Sequence, residues 1–289
     1  MDEAWLRCFM DAGGDFEQPC RFLGARLDGE LFQGQLISAP VMAGVHGGVV
    51  DFTPGPDWWG GEGGLPGWEQ MRWNWENANG CRDTPMAKEL AAIEGPILEL
   101  AAGPGGGWMP AIRQLNPAAR VMVNDRSPGV LALWRTFLAS RGATKGLCFA
   151  AFDVARPTLR SGCLAAVASF GGFGSVQGAL GDPASDSVAC MEDALRSGGL
   201  VFAAEMLFDP ADWAHLDQEA RARWERLPFV PGLTVSTTDR LRRGGFEIVE
   251  RGVAPGRTLR PDGGGIPGEA ARFGITLHVR WEHVKARKP

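Results

Sequence analysis

The sequence predicts an α/β protein built on a doubly wound, mostly parallel sheet, finished by an antiparallel C-terminal strand pair and preceded by a small N-terminal β unit. Three observations predict it. An apolar run, Pro96-Ile97-Leu98-Glu99-Leu100, passes straight into Ala101-Ala102-Gly103-Pro104-Gly105-Gly106-Gly107, a loop almost free of side chains. From residue 86 onward short apolar runs alternate with helix-like segments, the pattern of parallel strands joined by crossover helices. Two strand-like runs near the C-terminus, 246–252 and 273–281, flank a Gly/Pro-rich connection. With 289 residues, 45% of them apolar, the chain can bury one large domain and a smaller unit.

Taken in order, residues 1–55 hold short apolar pieces at 31–36 and 45–52 between turn formers, which predicts a small antiparallel β unit. Residues 56–85 are rich in Pro, Gly and Trp, including Trp58, Trp59, Trp68, Trp73 and Trp75, with little helical or strand periodicity. Such a stretch is usually functional or disordered, and its aromatic content speaks against disorder. It reads either as a cap closing over a ligand or as aromatic glue between the flanking units. Asp83 or Thr84 can cap a helix over 86–93 with Pro85 in its first turn. Strands are expected near 96–100, 120–124, 147–151, 164–170 and 199–206, with a helix over 108–115. The expected division is therefore 1–55, 56–85 and 86–289.

A strand that delivers a glycine-rich loop to the sheet edge is suited to cradle a nucleotide cofactor, because glycines let the ligand approach the backbone. Glu99 can reach polar groups on such a ligand. Asp125, closing Val121-Met122-Val123-Asn124-Asp125, stands where a carboxylate binds ribose hydroxyls. In this order the residues resemble the class I S-adenosylmethionine-dependent methyltransferases, whose domain is Rossmann-like. The family pattern acidic-x-Gly-x-Gly-x-Gly is matched by Glu99, Ala101, Gly103 and Gly105, with alanine replacing the first glycine. Asn124-Asp125-Arg126-Ser127-Pro128 resembles the second acidic motif, which implies that Asp125 holds the ribose and Arg126 lies near adenine. Ala151-Phe152-Asp153-Val154 resembles the third, which implies an adenine contact at Asp153 and Val154. Residues 164–170 match the fourth strand, ending at Ser169 and Phe170, and 195–202 match the helix-turn-strand entering the fifth. The resemblance covers most of 88–206 and implies S-adenosyl-L-methionine as cofactor.

A dinucleotide-binding oxidoreductase unit is the competing reading and fails twice. Its Gly-x-Gly-x-x-Gly fingerprint carries no acid immediately before the loop, and an acid after the third strand has no role on a pyrophosphate. An acid-rimmed site suits a sulfonium with an ammonium group better.

The N-terminal segments Leu6–Gly14, Asp28–Leu31, Leu36–Val41 and Gly47–Phe52 resemble the zinc ribbon that precedes this domain in some bacterial enzymes. The ribbon needs two Cys-x-x-Cys knuckles. Here Cys8 is followed by Asp11, and Ser38 and Val41 replace the second pair, so no metal is expected. The six cysteines form no paired framework and fit a reducing cytoplasm. No run approaches the ~20 apolar residues of a membrane span, and the start Met1-Asp2-Glu3 is acidic where a secretory signal is basic.

Charge bears on partners. Residues 1–95 hold 15 acids against 6 bases, so the remainder carries +4 of the total −5. That acidic half repels phosphodiesters, and nucleic acid is not the expected partner. Methyl transfer from a sulfonium is an in-line displacement that needs orientation and desolvation more than covalent catalysis. If a base is required, Glu205, His215 and His46 are the candidates, each with an ordinary alternative as a solvated surface group. The fourth strand leads into Ser169-Phe170-Gly171-Gly172-Phe173, unlike the Asn/Asp-Pro-Pro-Tyr type of enzymes that methylate amide or base nitrogens. Phe170, Phe173, Met206 and the tryptophans Trp73 and Trp75 are expected to line an apolar mouth for a small, flat or hydrophobic metabolite. Two other readings stay open: a ribosomal RNA guanine methyltransferase, which the basic tail His283–Lys288 would serve, and a catalytically silent cofactor-binding protein.

Overall fold

The computed structural model describes residues 1–9, 21–37, 42–53, 67–155, 158–173, 187–227, 230–259 and 265–289. Its strands are β1 (Arg21–Leu27), β2 (Glu30–Ile37), β3 (Met42–His46), β4 (Val49–Asp51), β5 (Pro96–Leu100), β6 (Arg120–Asp125), β7 (Leu147–Ala151), β8 (Leu164–Phe170), β9 (Leu195–Phe208), β10 (Glu247–Thr258) and β11 (His278–Arg287). Its helices are α1 (Trp68–Asn77), α2 (Pro85–Ala91), α3 (Met109–Leu115), α4 (Pro128–Ala139), α5 (Ser187–Ala194), α6 (Gln218–Glu225), α7 (Val230–Leu233), α8 (Thr237–Arg243) and α9 (Gly265–Arg272).

All the strands join one sheet in the order β1-β2-β3-β4-β7-β6-β5-β8-β9-β11-β10. Strands β4 through β9 run parallel, β11 is antiparallel to β9, and β10 is antiparallel to β11. The order reverses between β5 and β8. At such a switch point the two flanking loops turn to opposite faces and leave a crevice beyond the strand tips.

Local chemistry explains the framework. Thr84 caps α2, its hydroxyl accepting the Ala87 N–H with Pro85 at the first position, as expected. Ser127 caps α4 through the Val130 N–H, again ahead of a proline. The parallel strands are buried on both faces, so β7 reads Leu-Cys-Phe-Ala-Ala with no exposed position. Alternate residues feed two cores. Leu98 and Leu100 join α5, α8 and the N-terminal segment on one face, while Ile97 joins α2, α3 and α4 on the other. A third cluster, around Trp213, Trp224, Phe208 and Leu277, gathers α6, α7 and α9 beyond the far end of β9 and β11.

Four boundaries differ from expectation. Residues 68–77 form a helix where no periodicity was predicted. The run 45–52 is two strands, split by a Gly47-Gly48 turn with φ of +56° and +78°, the left-handed pair that a tight hairpin needs. Strand β9 begins at Leu195, where a helix-turn was expected, because α5 ends at Ala194. The last strand begins at His278 and not near 273, since Ile275 and Leu277 are buried in the third cluster.

The four N-terminal strands continue the main sheet through β4, which pairs in parallel with β7. Zinc-ribbon character gains no support: among the described residues no group of three His, Cys, Asp or Glu could hold a metal. Cys8 is buried in a short 3-10 turn, Cys163 donates to its carbonyl at 3.5 Å, and Asp11, Ser38 and Val41 lie outside the described residues. No helix is long and apolar enough to cross a membrane among the described residues.

Candidate cofactor-binding site

The loop after β5 is held on every side. Ala101 N–H donates to Asn124 Oδ1 at 3.3 Å, Ala102 N–H to Asn124 O at 2.8 Å, and Gly103 N–H to Asp125 Oδ2 at 2.8 Å. Its carbonyls accept from Trp134 Nε1 at Gly103, from Asn74 Nδ2 at Pro104, and from Asn79 Nδ2 at Gly105 and Gly107. Helix α1 and the 3-10 turn after it thus clamp the loop from outside and β6 clamps it from within. The backbone is pre-organised before any ligand arrives.

Ala101, standing where the resemblance expects glycine, has φ of +49°. The chain has kept the glycine conformation without the glycine. A left-handed non-glycine residue costs about 1–2 kcal/mol, and glycine's extra unfolded-state freedom costs about 0.5–1 kcal/mol. Ala101→Gly is therefore expected to stabilise the protein by about 0.5–1 kcal/mol, read as a small rise in melting temperature; a fall would mean that the methyl contributes packing that outweighs the strain.

Glu99 lies beneath this loop, 0% exposed, with no side-chain hydrogen bond to either carboxylate oxygen. A Cβ added at Gly107 would stand 1.8 Å from its Oε1, so the carboxyl group occupies the space that the missing side chain leaves. Burial pushes its pKa well above the ordinary carboxylate value, opposed by the Trp108 backbone N–H and reinforced by the nearby Glu205 carboxylate. A folded-state pKa above the unfolded one gives stability that is complete below about pH 4.3 and is lost as pH rises through the folded value. Glu99→Gln keeps the shape and removes the titration. Its denaturant midpoint should change less than the wild type's between about pH 5 and about pH 8; identical pH slopes in the two proteins would refute a raised pKa at Glu99.

Asp125 ends β6 at 7% exposure, with Oδ2 on Gly103 N–H and Oδ1 accepting the Ser127 N–H at 2.9 Å. Arg126 beside it is exposed. Asp153 follows β7, its Oδ1 accepting the Ala155 N–H at 3.1 Å, and Val154 is buried on the core face next to α5. At the tip of β8, Ser169 Oγ donates to Glu205 Oε1 at 2.6 Å and accepts the Gly172 and Phe173 N–H groups, while Ser169 O accepts from Trp108 Nε1 at 2.9 Å. The structure thus brings Glu99, Ala101, Gly103, Gly105, Asp125, Asp153, Ser169 and Phe170 to adjoining strand tips.

Of the three candidate bases, Glu205 is 2% exposed and also accepts the Phe173 N–H at 3.2 Å; it fastens the turn after β8. His46 is exposed on β3 with Gln33 Nε2 3.0 Å from its Nδ1, and His215 is exposed in the turn before α6. Phe173 is wholly buried in the core of the opposite face, and Met206 packs against the third cluster. Trp75 leans on Phe137, and Trp73 is 61% exposed on α1. Trp58 and Trp59 lie outside the described residues.

Beside the loop opens a cavity of about 630 Å³ between α2 and the face of β8, β9, β11 and β10. Its aromatic wall is Trp108, Phe170 and Trp281, with ring centroids 5.6 Å and 4.9 Å apart along the row. Only Phe170 was expected there. Trp108 had a signal, since it directly follows the glycine run; Trp281 reaches the wall only because β11 pairs with β9.

The sequence matches no protein-family model and no curated protein at a significant level. Solved structures do resemble the fold. A candidate methyltransferase of Bacillus halodurans C-125 superposes with a TM-score of 0.52 at 16% identity, over 72% of this chain and 99% of that one. The MccD protein gives 0.50 at 10% identity, over 77% and 97%. Geranyl diphosphate C-methyltransferase from Streptomyces coelicolor A3(2), crystallised with Mg2+, geranyl diphosphate and S-adenosyl-L-homocysteine, gives 0.47 at 12% identity, over 68% and 71%. At these identities likeness speaks for architecture alone: the chain has a Rossmann-like fold shared with the candidate methyltransferase and the MccD protein.

Proposed function

We propose that the chain is an S-adenosyl-L-methionine-dependent methyltransferase that acts on a small, apolar or aromatic metabolite by in-line methyl transfer. The observation that carries this reading is the loop 101–107, locked by Asp125 and lying over the fully buried Glu99, at the point where the sheet order reverses. A buried carboxyl group with no side-chain partner fits a cationic ligand nearby, whose charge would favour its ionised form. Asp125 would hold the ribose, Arg126, Asp153 and Val154 the adenine, and the loop with Ser169 and Phe170 the amino-acid end. When bound, the cofactor supplies an electrophilic methyl group. The chain's own residues orient the acceptor and exclude water; Trp108 and Phe170, packed edge to face, make a rigid apolar surface next to the loop.

On this reading residues 86–289 bind the cofactor, 56–85 close the site through α1, and 1–55 extend the sheet in a cytoplasmic protein. The basic tail that an RNA substrate would need is engaged within the chain. Lys285 pairs with Glu89, Lys288 with Glu192 at 3.3 Å, and Arg287 with Glu247 at 3.8 Å. Calorimetric titration with S-adenosyl-L-homocysteine tests the reading. Saturable one-to-one binding is expected, and no heat at high micromolar ligand would end it; turnover of the methyl donor with any acceptor then separates an enzyme from a silent binder.

A further inference from the structure

The cavity beside the loop is not uniform in charge. Side chains facing it come from alternate positions of β10 and β11, and the strand pairing ranks them in rows. Arg257 is level with Val279, nearest the strand tips; Trp281 comes next; His283 is level with Gly252; Lys285 is level with Glu250, deepest. Rows two residues apart are separated by about 6.6 Å. The deep row holds one ammonium and two carboxylates. Lys285 Nζ contacts the Glu89 carboxylate of α2 and faces Glu250 across the strands. The row nearest the tips holds a cation alone: Arg257 is exposed and, among the described residues, its side chain is in no ion pair.

From this asymmetry we infer that the cavity accepts a small aromatic acid, its ring against Trp281 and Phe170 and its carboxylate on Arg257. The inference deepens the proposed function and rests on it for the direction of methyl transfer. An aromatic ring gains from the Phe170–Trp281 wall through burial and offset stacking. A guanidinium next to that wall is left with no counter-charge unless the ligand brings one, and its planar fork matches a carboxylate in two parallel hydrogen bonds. Charge steering points the same way, with the acid group drawn to the tips and the ring behind it.

The test compares 2-naphthoate with its neutral isostere 2-naphthamide by calorimetry on the full chain. The expected result is binding of the acid at least tenfold tighter than the amide, with that preference falling to about twofold or less in Arg257→Gln. Arg257 is an exposed side chain of the edge strand β10, so the variant should fold, and melting curves check it. Equal affinity for the two probes, a preference that survives the substitution, or no saturable binding of either probe would overturn the assignment. S-adenosyl-L-homocysteine titrated into the same samples separates the two readings. Acid preference without cofactor binding would refute the methyltransferase and keep the anion site, whereas cofactor binding without acid preference would refute only the substrate class.

Discussion

Asp125→Ala is expected to leave the sheet intact and to weaken binding of S-adenosyl-L-homocysteine by at least about 100-fold. Two losses combine. The carboxylate is the proposed acceptor of both ribose hydroxyls, and hydrogen bonds to a charged group contribute about 1.5–3 kcal/mol each. It is also the anchor of the loop, since Oδ2 takes the Gly103 N–H at 2.8 Å and Oδ1 takes the Ser127 N–H at 2.9 Å. Truncation leaves both amides without those acceptors and loosens a backbone that must be ordered on binding, a cost of about 1–3 kcal/mol for each buried donor. Losses of about 3–6 kcal/mol correspond to roughly 10²–10⁴ in affinity. Asp125→Asn retains Oδ1 as an acceptor and should fall between, by about tenfold. Calorimetry reads the affinity and melting reads the loop: Asp125→Ala should melt several degrees lower. Wild-type affinity in the alanine variant would show that the tip of β6 is not the ribose seat.

The strand-and-motif half of the chain was legible because its signals are local. Each parallel strand is a short apolar run bounded by turn formers, and Glu99, Asp125 and Asp153 each stand at or just beyond the end of one. Helix α1 was not legible. Its buried positions are Met71 and Asn74, so the inward face carries an amide where an apolar side chain would mark the period, and that amide is used to bind Pro104 O. Strand β10 was underestimated in length because it is an edge strand exposed on most positions, and exposure on both faces erases alternation. Glu205 was legible as a carboxylate near a strand tip but not as a fastener, because its partners, Ser169 and Phe173, are more than thirty positions away. Arg257, Trp281 and His283 come together through the β10–β11 and β11–β9 pairing, and register across an antiparallel pair cannot be read from either strand alone.

The second large effect concerns the space between the loop and Glu99. Gly107 has φ of +55°, and a Cβ there would stand 1.8 Å from Glu99 Oε1 and 2.4 Å from its Cδ. The obstruction is the end of a side chain, which could swing aside in open surroundings. Here it is fully buried, with α3 starting above it and Glu205 close by, so displacement means repacking. Overpacking a core costs about 1–3 kcal/mol and a left-handed non-glycine residue about 1–2 kcal/mol. Gly107→Ala is expected to lower stability by roughly 2–5 kcal/mol and the melting temperature by about 5–15 °C. Gly142→Ala isolates the backbone share, because Gly142 has φ of +64° with nothing within 4 Å of the added methyl. Its loss should stay near 1–2 kcal/mol. Removing the carboxyl group supplies the converse: in a Glu99→Ala background the added methyl has room, and the two substitutions should cost about 1–3 kcal/mol less together than separately. Additive losses, or a Gly107→Ala protein no less stable than Gly142→Ala, would show that Glu99 does not fill the place of the missing side chain and that the loop is supported by its hydrogen bonds alone.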